Sequence, residues 1–183
     1  GAIGQMAVQM AKRPASRWLA AIDPLEHRGA IAASTAADLA LNPEKDDVPQ
    51  ALLDGTDGRG VDIVIETSAN YRALDTALRG LAYGGTVAYV GWAKECQGGL
   101  DFGGPSHFNV PNIVFARACS EPNRDHPRWS FARIMDVCWE WLAQGRFQCE
   151  EIVSPVVAFD DVVEAYLDIA RHPERSIKLG VRF

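Results

Sequence analysis

The chain opens with Gly1-Ala-Ile-Gly4, and Asp23 follows at the end of an apolar run. The two glycines have the spacing of the last two in the dinucleotide-binding motif G-x-G-x-x-G, whose first glycine would precede residue 1. A diphosphate is stabilised at a helix N-terminus because unpaired N–H groups and the positive end of the helix dipole meet there. We therefore predict that the diphosphate of a nucleotide cofactor contacts the backbone of Gly1, Ala2, Ile3 and Gly4.

Asp23 ends the apolar run Trp18-Leu-Ala-Ala-Ile22, which has the composition of a short buried strand. The carboxyl ends of strands are where open parallel sheets bind ligands, and an acid there favours the free ribose 2′-hydroxyl of NAD over the 2′-phosphate of NADP. We predict that Asp23 binds the ribose and that Arg28, five residues on, lies against the adenine. G-x-x-G alone is a weak signal, since Gly55-Thr-Asp-Gly58 also matches it and indicates a turn.

Composition and charge narrow the class of protein. An apolar share of 48% is typical of a soluble globular protein with a sizeable core. The net charge of −6 and the lack of any lysine and arginine run argue against nucleic acid and anionic membranes as partners. The four cysteines, which form no C-x-x-C pair, indicate neither a structural zinc site nor a redox pair and fit a reducing cytoplasm.

Strand and helix patterns alternate along the chain, which predicts an α/β fold with a doubly wound parallel sheet. The predicted helices cover residues 5–12, 26–34, about 47–53, 70–81, 130–144 and 161–171, the fourth stopped by Gly84-Gly85 and the last opened by a capping box at Asp161. The predicted strands cover residues 18–22, 38–42, 61–66, 86–90, 112–118, 152–159 and 177–183, and residues 92–111 are expected to be irregular.

Several segments together resemble the medium-chain dehydrogenase/reductase family, and its zinc-type alcohol and polyol dehydrogenases in particular. They are GAIGQMAVQMAK, AAIDPLEHR, TDGRGVDIVIETSAN, YGGTVAYVGW, AFDDVVEAYLDI and SIKLGVRF, spread over nearly the whole chain in the family's order. The resemblance implies a Rossmann-like sheet whose central first strand is missing here because it would precede Gly1. It also implies a partial dinucleotide-binding domain over residues 1–146 and the C-terminal part of a catalytic domain over residues 147–183.

The resemblance implies an oxidoreductase that moves a hydride between NAD and an alcohol or carbonyl substrate, in a parent enzyme that is a cytoplasmic homo-oligomer. Gly1, Gly4, Asp23 and Arg28 match the family's phosphate loop, ribose acid and following basic residue. Because the glycine turn has lost its strand, we expect a polypeptide of these residues alone to be poorly stable and inactive.

Further family positions lie later in the chain. Val90 and Gly91 match the strand end whose backbone lies near the nicotinamide amide, and Arg117 matches a cofactor-side arginine, for which an ion-paired surface role is an equal alternative. The family's zinc ligands lie in its N-terminal catalytic domain, so zinc belongs to the parent enzyme and no catalytic residue or metal ligand is assigned here. His107 and Asn109 are the remaining polar pair of interest.

Two alternatives stay open at this stage. Glu66 in VDIVIE favours the zinc-type branch, but a zinc-free reductase of the same family would share the remaining segments. A methyltransferase-like domain that binds S-adenosylmethionine also uses a glycine loop and an acid after the second strand. The VEAYLDI and SIKLGVRF segments fit dehydrogenases better.

Overall fold

A computed structural model describes residues 1–12, 16–92, 94–116 and 126–183, in which helices and strands alternate. The helices are α1 (Ala2–Ala11), α2 (Glu26–Thr35), α3 (Val48–Asp54), α4 (Tyr71–Gly80), α5 (Gly104–Asn109), α6 (Phe131–Ala143) and α7 (Val162–Arg171). The strands are β1 (Ala20–Ile22), β2 (Leu39–Leu41), β3 (Val61–Glu66), β4 (Leu81–Tyr89), β5 (Asn112–Phe115), β6 (Val153–Ala158) and β7 (Lys178–Arg182), and single 3-10 turns cover Phe159–Asp161 and Pro173–Arg175.

The strands form three sheets within the described residues, of order β1-β2, β3-β4-β5 and β6-β7. The pairs β1–β2, β4–β5 and β6–β7 are parallel, and α2 and α7 each connect two paired parallel strands. This mixed α/β architecture with parallel sheets confirms the predicted fold class. The chain divides into two compact units, residues 1–61 with 148–183 and residues 62–147. The predicted domain boundary at residue 146 stays a prediction.

Small apolar clusters hold the first strand pair of the first unit. Ala21 of β1 packs with Ala32 and Ala37, and Leu41 of β2 packs with Val48 and Leu52 of α3. Burial of apolar side chains on both sides of the short ladder fixes the position of its carboxyl end.

Helix α1 buries two glutamines, and its Val8 packs against the apolar cluster that includes β1. Gln5 and Gln9 are only 4% and 7% exposed, whereas Ile3 is 63% exposed. Gln9 Nε2 donates to the carbonyl of Gln148 at 3.0 Å, and the N–H of Gln148 donates to Gln9 Oε1 at 2.8 Å. The buried amide is therefore paired through both of its functional groups, as a buried polar group requires.

An ion pair holds the other end of α1. Lys12 Nζ lies 2.5 Å from Asp38 Oδ1, and Asp38 Oδ2 accepts the N–H of Leu19 at 2.9 Å. The Lys12 ammonium and the Leu19 N–H hold the pKa of Asp38 below its usual value. One carboxylate thus joins the end of α1 to the residues preceding β1 and β2.

Among the described helices of the second unit, α4 buries the most apolar side chains, and the prediction that Gly84-Gly85 stops it was wrong. Leu74, Ala77 and Leu78 form a buried apolar stripe on this helix. The helix nevertheless ends at Gly80, and β4 runs from Leu81 through both glycines to Tyr89. Gly84 has φ +70° within this strand, a conformation that suits glycine because it has no Cβ.

Two further local expectations were wrong. Residues 104–109 of the expected irregular segment form α5. The side chain of Asp161 makes no capping hydrogen bond to α7, because a 3-10 turn precedes the helix there. By contrast, Asp47, Asn70 and Ser130 do cap α3, α4 and α6.

None of the helices among the described residues has the length and apolar character needed to cross a bilayer.

The burial pattern predicts how leucines of the second unit contribute to stability. Leu78 is 1% exposed on α4, whereas Leu142 on α6 is 38% exposed. We expect Leu78→Ala to lower the free energy of unfolding by about 2–5 kcal/mol, because the substitution leaves a cavity. The matched control Leu142→Ala should cost less than about 1 kcal/mol. Urea unfolding of both variants measures the difference, and equal costs would contradict the described core.

Candidate functional site

The glycine turn forms the start of α1, with Gly1 as the residue before its first turn. The Gln5 N–H donates to the Gly1 carbonyl at 3.0 Å, which closes the first helical turn. Helix geometry leaves the preceding N–H groups without an acceptor in the helix, and no side chain caps this end. The N–H groups of Ala2, Ile3 and Gly4 are thus placed to donate to an anion.

Asp23 lies at this turn. The residue extends the parallel ladder of β1, because its N–H donates to the carbonyl of Leu41 at 3.1 Å. The N–H of Leu25 donates to Asp23 Oδ1 at 3.0 Å, and Oδ2 lies 3.4 Å from the Gly1 nitrogen. The carboxylate remains 19% exposed. The structure therefore brings the two halves of the predicted nucleotide site together.

Arg28 lies beside the same turn, and carbonyl groups hold its side chain. Its Nη2 donates to the carbonyl of Pro173 at 2.8 Å and to that of Ser176 at 3.1 Å. A Cβ built on Gly1 would lie 4.0 Å from Arg28 Nη1. Arg28 occupies the first turn of α2, where the helix dipole disfavours a cation, and the two carbonyls offset that cost. No sequence pattern predicts these partners.

Val90 and Gly91 lie in the second unit, at the end of β4. Their N–H groups donate to the carbonyl of Glu66 at 2.8 and 3.1 Å. A Cβ on Gly91 would lie 2.7 Å from the Ala69 nitrogen, so that only glycine fits this close approach of two backbones.

Glu66 is a buried acid that organises the loop after β3, a role that sequence reasoning missed. Its carboxylate accepts the N–H of Ser68 at 2.7 Å, the Ser68 hydroxyl and the N–H of Ala69 at 3.0 Å. These bonds hold Ala69 at φ +58°. Burial raises the pKa of the neighbouring Tyr89 hydroxyl, with smaller contributions from Glu66 and Cys96. An acid at a strand end followed by Thr-Ser-Ala-Asn was the available signal.

The remaining candidates contribute less. Asn109 Nδ2 donates to the carbonyl of Leu81 at 2.8 Å, which is a structural bond within the second unit. His107 stands edge-on to Phe108. Arg117 lies outside the described residues. Within the described ranges, no group of three His, Cys, Asp or Glu side chains could hold a metal ion.

Comparison with known proteins identifies the family. The family model described as zinc-binding dehydrogenase matches residues 2–119. D-guloside 3-dehydrogenase of Escherichia coli (strain K12) is 49% identical over 184 aligned residues, covering 100% of this chain and 53% of that protein. L-threonine 3-dehydrogenase of Caldanaerobacter subterraneus is 33% identical over 91 residues, covering 50% of this chain and 26% of that protein. Among solved structures, alcohol dehydrogenase TADH from Thermus sp. ATN1 superposes with a TM-score of 0.78 at 25% identity, over 100% of this chain and 50% of that one.

The chain thus spans about half the length of the curated relatives that it matches over its full length. The matched residues of the family model begin inside the glycine turn and run past β5. The chain belongs to the zinc-binding dehydrogenase family of the medium-chain dehydrogenases/reductases.

Proposed function

We propose that this chain is the cofactor-binding part of an NAD-dependent oxidoreductase that transfers a hydride between nicotinamide and an alcohol or carbonyl substrate. The observation that carries the proposal is the position of Asp23, at the carboxyl end of β1, beside the uncapped start of α1; its Oδ2 lies 3.4 Å from the terminal ammonium nitrogen of Gly1. An uncapped helix start and a partly exposed carboxylate at this distance match the two ends of an adenosine diphosphate: phosphate anion and ribose diol.

The residues of this chain bind and orient the cofactor. In the proposed complex the N–H groups of Ala2, Ile3 and Gly4 donate to the diphosphate, and the Asp23 carboxylate accepts from the ribose hydroxyls. Arg28 lies beside the glycine turn, and the family resemblance assigns the backbone at Val90 and Gly91 to the nicotinamide side. The bound nicotinamide supplies the hydride chemistry, so that these residues contribute by holding its rings in a fixed place.

The proposed substrate carries a secondary hydroxyl of a sugar or polyol. The relative that is 49% identical over the full chain is named for oxidation of a D-guloside at position 3, whereas the L-threonine 3-dehydrogenase matches over half of the chain. A zinc ion that polarises the substrate, a homo-oligomeric assembly and a cytoplasmic location stay predictions from the family resemblance.

Asp23→Asn tests the ribose role. The substitution keeps the shape of the side chain but removes its negative charge. That charge strengthens the hydrogen bonds that the carboxylate accepts from the ribose hydroxyls, and it repels a 2′-phosphate. We expect the NADH dissociation constant to rise roughly tenfold and the NADPH constant to change less, so that the preference between them shrinks. Fluorescence titration of the protein measures both constants.

Asp57→Asn is the matched control, because Asp57 belongs to the same unit and its side chain is 84% exposed in a turn. This control should leave both constants unchanged. If Asp23→Asn binds NADH as tightly as the starting protein does, the ribose assignment is wrong.

A second experiment separates the classes of function. We expect NADH to quench the tryptophan fluorescence of the protein, and S-adenosylmethionine to have no effect at the same concentration. With NAD⁺ present, the parent enzyme should produce NADH faster from a D-guloside than from L-threonine. Binding of S-adenosylmethionine without binding of NADH would favour the methyltransferase alternative. Turnover that survives removal of zinc by a chelator would favour the zinc-free reductase.

A further inference from the structure

Arg28 connects the glycine turn to the 3-10 turn at Pro173–Arg175, which lies between α7 and β7. Both hydrogen bonds that join them come from one nitrogen of the guanidinium, at 2.8 and 3.1 Å, to main-chain carbonyls. A guanidinium held by two carbonyls is fixed in orientation because its donors lie in one rigid plane. Arg28, which lies beside Gly1, therefore holds the 3-10 turn through these two hydrogen bonds.

Gln5 extends this connection into α1. Its side chain is 4% exposed, and its Nε2 donates to the carbonyl of Arg28 at 2.8 Å. A single chain of hydrogen bonds thus runs from the first turn of α1 through the backbone and side chain of Arg28 to Ser176. All of its members belong to the first compact unit.

This chain of hydrogen bonds is incomplete among the described residues. Gln5 Oε1, Arg28 Nε and Ser176 Oγ are buried without a hydrogen-bond partner there. Ser176 itself is 5% exposed. Buried polar atoms are normally paired, so this cluster has unused capacity for a further polar partner. The partner can be a bound molecule or ordered water.

We propose that Arg28 is a positioning residue that couples occupation of the glycine turn to the order of residues 172–178. A nucleotide seated at Gly1 and Asp23 completes the polar cluster around Arg28, and Arg28 passes this constraint to Pro173 and Ser176. The coupling rests on the proposed function, because it requires a nucleotide at the glycine turn. The proposed coupling adds that residues 172–178, which lie more than 140 residues from Arg28 in sequence, respond to the cofactor.

Hydrogen–deuterium exchange with and without NADH tests this coupling on the protein and on Arg28→Gln. In the starting protein, NADH should slow exchange in residues 1–12 and also in residues 172–178. In Arg28→Gln at saturating NADH, the slowing in residues 1–12 should remain and that in residues 172–178 should disappear. The NADH dissociation constant of this variant should rise roughly tenfold.

Arg175→Gln is the matched control. Arg175 lies on the same turn but is 63% exposed, and its side chain contacts Asp168 and Glu174. This variant loses the same charge without touching the connection, so that it should behave as the starting protein does. Exchange in β1 and β2 reports whether each variant is folded.

Arg28→Lys keeps the charge but loses the planar fork, and we expect it to lose part of the slowing in residues 172–178. A lysine variant with no loss, or a glutamine variant that keeps the full slowing there, would overturn the coupling. Slowing in residues 1–12 alone in the starting protein would also overturn it while leaving the proposed function intact. No slowing in either segment would instead overturn the proposed function.

Discussion

The approach of the Asp23 carboxylate to the start of α1 is the contact on which this site depends. It exists because β1 and β2 pair in parallel and their ladder continues to Asp23, whose N–H reaches Leu41. A shift of β1 by one residue would turn the carboxylate to the other face of the sheet. The small buried side chains of β1 and β2 therefore position the site, because they fix the register between the two strands.

Polar contacts place α1 itself. Gln5 bonds to Arg28, Gln9 pairs with Gln148, and Lys12 pairs with Asp38. Apolar packing tolerates rotation of a helix about its axis, whereas hydrogen bonds are directional and do not. Because these contacts are spread from the fourth residue of the helix to the residue just after its end, they set where its first N–H groups point. The glycine turn thereby faces Asp23 without help from a side-chain cap.

Local patterns predicted much of this fold. The strand before Asp23, the helix after it and the stripe of α4 follow from spacing and burial, which depend on neighbours in sequence. The glutamine face of α1 was missed because glutamine is usually assigned to solvent, and its partner Gln148 lies 139 residues away. The partners of Arg28 were missed because Pro173 and Ser176 lie 145 and 148 residues away in sequence. The start of β4 was misplaced because Leu81 suits a buried helix position and a buried strand position equally well.

In the proposed site, the protein binds the cofactor and the cofactor carries out the hydride transfer. We propose that the described residues supply phosphate donors, a ribose acceptor and a rigid frame, and that the nicotinamide supplies the hydride chemistry. The family assignment is independent of that geometry, since it comes from matched residues over most of the chain. The family assignment and the geometry of the glycine turn both support the proposed nucleotide site.

A crystal structure of the protein with NADH tests the central claim most directly. The account predicts diphosphate oxygens within hydrogen-bond distance of the N–H groups of Ala2 to Gly4, and both adenosine ribose hydroxyls on the Asp23 carboxylate. A nucleotide bound elsewhere, with Asp23 in contact with no ribose, would contradict it.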